Sequence, residues 1–306
     1  MRKNETIPQL DYPVFTLDQR ELLPAGAFLS DDVMRKVITS NEDPPYEETS
    51  FLEYGNVKKD LFEIFNNHPY DTLFKTPEKT IALDMLREIR FIAPILKFLD
   101  YFKEHDLYTY RHTLAVFALS AILAYDLFGR SEDWIDEAMA GTIHDFGKIC
   151  VPLDILRETN PLSRTDRKIL EHHSLAGYVL LSYYMRNHRS FAAKVAKKHH
   201  ERKDGSGYPL GILQNDKMVE IVAASDVYDA LLSPRPYRPK GFDNRTALEE
   251  MTIMALDGKL SWELVQVLVS HNREQRPSYL ECDISRERRG RSPEKNNYGV
   301  YKNETE

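Results

Sequence analysis

The stretch Phe191-Ala192-Ala193-Lys194-Val195-Ala196-Lys197-Lys198-His199-His200, followed by Glu201-Arg202-Lys203-Asp204-Gly205-Ser206-Gly207-Tyr208-Pro209, runs an apolar helical pattern into two adjacent histidines and then into a turn-rich loop. Phe191, Val195 and Ala196 recur at helical spacing, which predicts a helix over 191–200. Two neutral imidazoles side by side repel one another once protonated, so a bound cation is a good reason to hold them together. A basic cap on a helix C-terminus, helped by Lys197 and Lys198, would place the same residues there. This stretch by itself leaves both readings open.

Upstream lies a second dyad. His144-Asp145 closes an apolar segment containing Ala138, Met139 and Ile143, and Gly147-Lys148 follow it. Ser131-Glu132-Asp133 is expected to cap and charge the start of this segment, making it a helix that runs to His144. Adjacent helical residues project about 100° apart, so the pair cannot share one core contact but can grip one ion from two sides. Imidazole suits borderline metals such as iron, zinc or manganese, and a carboxylate has two oxygens with which to bridge two ions.

Further candidates stand outside the dyads. His112 lies at the start of a helix whose other inward positions are apolar. His173 shares a face with Ile169, Leu170, Ala176, Gly177 and Leu180, whereas His172 points toward a more polar stripe. Asp226 sits in the apolar run opened by Ile221-Val222-Ala223-Ala224, where an unpaired carboxylate is costly to bury. Asp229 falls on the same face one turn later. Any one of these reads more simply as a satisfied polar group in a core; so many on one helical domain do not.

The surrounding pattern is helical. Ile81, Leu83, Leu86, Ile89, Ile92, Ile95, Leu96 and Leu99 predict one long or broken helix from Thr80, a connecting helix over 80–106. A helix from Thr109 carries Leu114, Phe117, Ala118, Ala121 and Ala124 and stops at Gly129. Ser163 with Asp166 resembles a capping box opening a helix through Tyr184, and later helices are expected over 216–232, 245–256 and 262–272. Before residue 80 the text is different. Short apolar runs at Tyr12–Phe15 and Ala27–Leu29, with Ser30-Asp31-Asp32 capping a short helix, suggest a small α+β regulatory or docking module over 1–79. In it, 1–10 reads as a frayed tail and 41–56 as a loop or linker; residues 277–306 are expected to be a disordered C-terminal tail. The fold class expected is therefore mainly α, an all-helical domain preceded by a small α+β module.

Composition narrows the function. Over 306 residues, 41 Lys and Arg stand against 48 Asp and Glu, a net charge of −7, which argues against a protein that coats DNA or RNA polymers. A local metal cluster can still overrule that sign for a small anion. Two cysteines, Cys150 and Cys282, make no disulfide framework and suit a reducing cytoplasm. Met1–Leu10 lacks the apolar core of a signal peptide, and no segment approaches the roughly 18 apolar residues of a membrane helix. A soluble, cytoplasmic protein with no membrane association is expected.

His144-Asp145-Phe146-Gly147-Lys148, then His199 through Pro209, then Asp226-Val227-Tyr228-Asp229-Ala230-Leu231 and Ser233-Pro234-Arg235-Pro236-Tyr237-Arg238, resemble in order and spacing the HD-GYP subfamily of the HD phosphohydrolases. The resemblance runs from Leu107 to Asn272 and does not reach the N-terminal module. It implies an all-helical HD-type catalytic domain, bounded here at 107–276, that hydrolyses the bacterial second messenger cyclic di-GMP to linear pGpG and in some members on to GMP. Carried over motif by motif, one divalent ion would be held by His112, His144, Asp145 and Asp226. A second would be held by Asp145, His173, His199 and His200, with Asp145 as the bridge. The ions implied are iron or manganese.

Ions roughly 3.5–4 Å apart can share a hydroxide that attacks phosphorus in line with the departing 3′ oxygen. In the scheme the resemblance implies, Lys148 contacts the scissile phosphate and Asp229 orients Lys148 through an ion pair. Arg235 and Arg238 bind the other phosphate or the guanine edges, each through a planar fork. Gly205 and Gly207 permit unusual backbone angles, and Tyr208 offers a ring and a hydroxyl to the substrate or a partner. That partner would be a diguanylate cyclase (GGDEF) docked on the Gly207-Tyr208-Pro209 loop.

The chain departs from the pattern at several positions. Tyr108 stands where some members carry a glutamate that holds a third metal, so two ions are expected. Ser174 replaces the usual proline after His173, and Lys203 replaces a common aromatic. The segment between Pro209 and Asp226 is shorter than usual and lacks the usual Gly-rich turn, which would reshape the rim of the site. Two alternatives therefore stand beside an active phosphodiesterase. One is a slow or inactive relative that senses cyclic di-GMP or docks diguanylate cyclases; the other is a hydrolase of another cyclic dinucleotide.

Overall fold

Helix α5 (Leu107–Phe128) is buried at every position from Thr109 to Ala124 except Arg111. A helix apolar on all sides must be surrounded, and this one forms the axis of the molecule. The computed structural model describes residues 7–129, 137, 139–236 and 238–294. Against α5 pack α2 (Val57–Asn66), α3 (Thr76–Glu88), α4 (Ala93–His105), α10 (Lys217–Leu232) and α12 (Trp262–His271). By length and composition α5 is long and apolar enough to cross a membrane, contrary to the expectation that no segment approaches that limit, but 72% of its apolar window is buried in the fold. Gly129, at φ 74°, ends the helix where a glycine was expected to.

A second layer is built on α8 (His173–Tyr184), which packs against α9 (Phe191–Lys198), α1 (Asp31–Thr39) and the 3-10 turn Phe146–Cys150. The capping box at Ser163 and Asp166 is present, but it opens a shorter helix than expected, α7 (Arg164–Glu171). The chain breaks at His172 and restarts as α8, which puts His173 at a helix N-terminus. The helix expected over 131–144 falls largely on residues 130–136 and 138, outside the described residues. At its described end, 139–142 is a 3-10 turn, and His144-Asp145 occupies the bend before the next turn rather than a helix terminus. Downstream, a four-residue helix α6 (Leu153–Leu156) precedes α7, and α11 (Asn244–Leu256) precedes α12.

The expected connecting helix over 80–106 is corrected. Strand β4 (Arg90–Ile92) separates α3 from α4 and pairs antiparallel with β3 (Glu48–Ser50), inside the stretch expected to be a linker. Phe91 is buried edge-to-face on Phe51 at 5.2 Å, and Pro94 can begin α4 but not sit within a helix that continues through it. The N-terminal segment contributes β1 (Val14–Phe15) and β2 (Glu21–Leu23), an antiparallel pair, and α1, whose cap is Ser30 as expected. Its residues join the same hydrophobic core as the helices: Leu10, Val14, Leu61 and Phe65 belong to one cluster with Phe117, Val179 and Val222. Arg20 Nη1 donates to Tyr183 Oη at 3.2 Å and Asn41 Nδ2 to Tyr183 O at 3.0 Å. The expected divisions at residues 79 and 106 therefore have no counterpart in the core. Within the expected frayed tail, Leu10 is buried and its amide donates to Ala27 O, while residues 1–6 lie outside the described residues.

Residues 277–294 are not a loose tail. Ser270 Oγ donates to Pro277 O at 2.6 Å, and the amides of Arg289 and Gly290 donate to Glu249 Oε2 of α11 at 2.9 and 2.6 Å. Residues 295–306 lie outside the described residues.

Candidate metal centre

Five elements converge on Asp145. The bend carrying it is held against α8 by Gly147, where a Cβ would stand 1.9 Å from His173 O and 2.3 Å from Gly177 N. Only glycine allows that approach, so the Gly after the dyad sets its distance from His173. α5 brings His112, α8 its first residue His173, the C-terminus of α9 His199 and His200, and the middle of α10 Asp226.

The two oxygens of Asp145 face different partners. Oδ2 lies 3.4 Å from His112 Nε2, 3.4 Å from His144 Nε2 and 2.6 Å from Lys148 Nζ. Oδ1 lies 3.4 Å from His173 Nε2 and 3.9 Å from His199 Nε2. Asp226 Oδ1 is 3.2 Å from His112 Nε2, and its Oδ2 is 3.8 Å from His200 Nδ1. His173 Nε2 is 3.3 Å from His199 Nε2 and 3.1 Å from His200 Nε2. Two groups that could each hold a metal ion result, Asp145 with His173, His199 and His200, and Asp145 with His112 and His144; no other such group occurs among the described residues.

The outward nitrogens explain why the inward ones are available. His144 Nδ1 is 2.7 Å from Gly141 O, His173 Nδ1 2.5 Å from Leu170 O, and His199 Nδ1 2.9 Å from Ala196 O. His112 Nδ1 is 2.5 Å from Asp229 Oδ2. A carbonyl or carboxylate can only accept, so these Nδ1 atoms carry protons, and in the neutral rings of His144, His173 and His199 the Nε2 lone pairs point inward. Buried His144 Nε2 has no hydrogen-bond partner among the described residues. The Nε2 lone pairs of His173 and His199, both set by Nδ1 protons given to carbonyls, face one another at 3.3 Å and repel unless a cation lies between them. The donor set, five imidazoles around one carboxylate with Asp226 beside it, fits divalent transition metals.

Electrostatics point the same way. Burial pushes His173 down to about 4 and His199 down to about 3, and drives His200 well below the usual imidazole range. Neutral imidazole is the ligating form. For His112, burial opposes charge but Asp229, Asp145 and Asp226 outweigh it and hold the ring up at about 10. Burial also opposes charge on Asp145, yet Lys148 and the histidines keep it well below the carboxylate range, as His112 and His200 do for Asp226. Metal binding at such a site displaces a proton from His112.

The rim departs further from expectation. Asp229 does not orient Lys148, whose ammonium bonds Asp145; its carboxylate is buried behind His112, bonded to His112, Tyr70 and Ser233. Asp229 lies on the same face of α10 as Asp226 but one turn further along, where it meets the Nδ1 side of His112 and the Tyr70 hydroxyl instead of Lys148. Arg238, expected on the substrate, is buried, and its Nη2 donates to the carbonyls of Ala230, Leu231 and Ser233 at 2.5, 2.9 and 2.8 Å. It closes the C-terminal end of α10, whose carbonyls have no further helical partners. Arg235 is half-buried over the Tyr108 ring at 4.9 Å, and Tyr108 stacks on His112 at 5.7 Å. The ring of Tyr208 stacks on His200 at 4.4 Å. Gly207 lets the loop lie on the dyad, since a Cβ there would meet His200 O at 2.3 Å. Tyr237 lies outside the described residues.

Two residues were given no role from sequence. Glu201, buried next to the dyad, accepts the amides of Leu210 and Ile212 at 2.7 and 3.1 Å and so shapes the loop. Its adjacency to a Gly-rich loop was the available signal. Tyr70 lies 159 residues from its partner Asp229, and no local pattern marks it.

Residues 102–261 match the model of the HD domain family. The chain is 31% identical over 264 residues to a cyclic di-GMP phosphodiesterase of Thermotoga maritima, covering 81% of this chain and 70% of that protein. It is 36% identical over 151 residues to the cyclic di-GMP phosphodiesterase PA4108 of Pseudomonas aeruginosa, covering 49% of this chain and 36% of that one. It is 31% identical over 172 residues to 3'3'-cGAMP-specific phosphodiesterase 1 of Vibrio cholerae, covering 55% of this chain and 38% of that one. The chain thus spans well under half the length of the last two relatives.

Proposed function

Because the chain belongs to the HD domain family and carries the motif set of its HD-GYP branch, we propose that it is a metal-dependent phosphodiesterase that hydrolyses cyclic di-GMP to linear pGpG, with GMP as the product of a second cleavage. The observation that carries this reading is the division of Asp145, one oxygen toward His112 and His144 and the other toward His173 and His199. His112, His144, Asp145 and Asp226 would hold one ion; Asp145, His173, His199 and His200 would hold the other. Iron or manganese suits so nitrogen-rich a set. Bound, the pair supplies Lewis-acid stabilisation of the phosphoryl oxygens and a nucleophile at neutral pH.

The chain's own residues do the rest. Lys148, at the edge of the cluster with 13% of its side chain exposed, brings a donor to a phosphoryl oxygen as negative charge builds there. Arg235, held over Tyr108, brings a planar fork to the second phosphate or a guanine edge. Tyr208, stacked on His200, offers a base an aromatic face beside the ligands.

The test is turnover by protein loaded anaerobically with iron or manganese, incubated in parallel with cyclic di-GMP and 3′3′-cGAMP and followed by chromatography. Appearance of pGpG from cyclic di-GMP is expected. A strong preference for 3′3′-cGAMP would support the second reading, that of a hydrolase of mixed cyclic dinucleotides, which the Vibrio relative favours. No turnover of either by metal-replete protein would sink the enzyme reading.

A further inference from the structure

The turn Tyr70–Thr72 joins α2 to α3 and precedes the residues that match the HD domain. Tyr70 is buried, and its hydroxyl donates to Asp229 Oδ1. Ser233 Oγ donates to the same oxygen at 3.1 Å. Asp229 Oδ2 is left for His112 Nδ1, 2.5 Å away. An ionised carboxylate only accepts, so two hydroxyls on one oxygen and an imidazole N–H on the other complete its partners. That arrangement keeps the His112 proton on Nδ1 and turns Nε2 toward Asp145 and Asp226.

We propose that Tyr70 is a positioning residue for the metal centre. It fixes Asp229, and through Asp229 the orientation of His112, whose Nδ1 donates outward while Nε2 faces Asp145 and Asp226. One of the two ion positions therefore depends on a segment outside the HD domain. The inference rests on reading the cluster as a metal centre, as above.

The dependence is one-sided. His144, His173 and His199 give their Nδ1 protons to backbone carbonyls of nearby residues, Gly141, Leu170 and Ala196. Those acceptors belong to the same turns as the ligands and have no outer side chain to adjust them. Among these, His112 alone is oriented by a side chain, and that side chain is in turn held from the N-terminal segment. Loss of an outer partner bonded directly to a ligand weakens metal binding about 10–100-fold, and Tyr70 stands one bond further out, so about 3–10-fold is expected for one ion.

The experiment is a manganese(II) titration of the full chain, read by calorimetry for the affinity of each ion and by electron paramagnetic resonance for the coupled pair. Tyr70→Phe is compared with Ser233→Ala, which removes the other hydroxyl on Asp229 Oδ1, and with Tyr54→Phe. Tyr54 also donates to a carboxylate, Asp100, but one outside the ligand set. Tyr70→Phe should weaken one ion about 3–10-fold and leave the second unchanged, Ser233→Ala should act in the same direction, and Tyr54→Phe should match the wild type. Should Tyr70→Phe fail to fold, Ser233→Ala decides by the same criterion. Equal weakening of both ions, or of neither, overturns the inference whatever happens to the melting temperature. Wild-type protein that binds no ion would instead overturn the metal reading itself, a different result from two ions bound equally well by wild type and Tyr70→Phe.

Discussion

Two clusters in this molecule each combine carboxylates, histidine and a basic side chain and do opposite things. One is the candidate metal centre. The other joins Glu78 of α3, Asp126 of α5, His271 of α12 and Arg276. In the second, Arg276 bonds Glu78 and reaches Asp126 at 3.0 Å, while His271 Nε2 lies 2.9 Å from Asp126 Oδ2. The carboxylates there have their cation built into the chain. In the candidate metal centre the one lysine reaches a single oxygen, and the Nε2 lone pairs of His173 and His199 face each other. Acidic and histidine content does not separate the two; the source of the positive charge does. A cluster whose carboxylates are matched by its own arginine ties helices together, and one in which three carboxylates share a single lysine beside unprotonated imidazole nitrogens is arranged to take a cation from solution.

The largest effect expected on this contrast comes from Asp145→Ala. It should abolish binding of both ions and lower any phosphodiesterase activity by more than about 100-fold, since it removes a ligand rather than an outer partner. Metal analysis after gel filtration would check this, and two retained ions would break the comparison. Arg276→Ala should do the reverse, costing about 3 kcal/mol of stability by stranding Glu78 while leaving metal content at wild type. Urea unfolding with parallel metal analysis reads both quantities. Loss of metal from Arg276→Ala would mean the clusters are coupled.

Chelation sharpens the contrast from the other side. Removing ions held at about 100 times their dissociation constant should withdraw roughly 2.7 kcal/mol for each ion, seen as a lower melting temperature that manganese restores. An unchanged melting curve would mean that the histidines pack as well without metal. The smallest effect separates two arginines. Arg238→Ala should lose about 1–2 kcal/mol, as the last carbonyls of α10 lose their charged donor, without changing KM. Arg235→Ala should change stability less and raise KM about 5- to 30-fold, the equivalent of about 1–2 kcal/mol of substrate binding. Interchanged outcomes would reverse the assignment made from their exposure.

Much of the site was legible because its chemistry is compressed into local motifs. His144-Asp145 and His199-His200 each put two ligands on one short stretch, and Gly147 and Gly207 mark places where backbone meets backbone. Periodicity also located α5 and α10, where burial on all faces leaves long apolar runs. It failed where a distant partner overrode local preference. The Arg90–Ile92 stretch leaves the helix because β3 pairs with it, and residues 277–290 lie ordered because Glu249 accepts their amides.

By itself, then, the sequence determined which residues could bind metal, the helical class of the domain that presents them, and the family to which it belongs. Only the tertiary structure decided which oxygen of Asp145 faces which histidines, that Asp229 serves His112 rather than Lys148, and that Arg238 is spent on the end of α10. The physical reason is range. Ligand identity and helical periodicity are written within a few neighbouring residues, whereas an acceptor for a particular N–H is chosen by packing among segments as far apart as Tyr70 and Asp229.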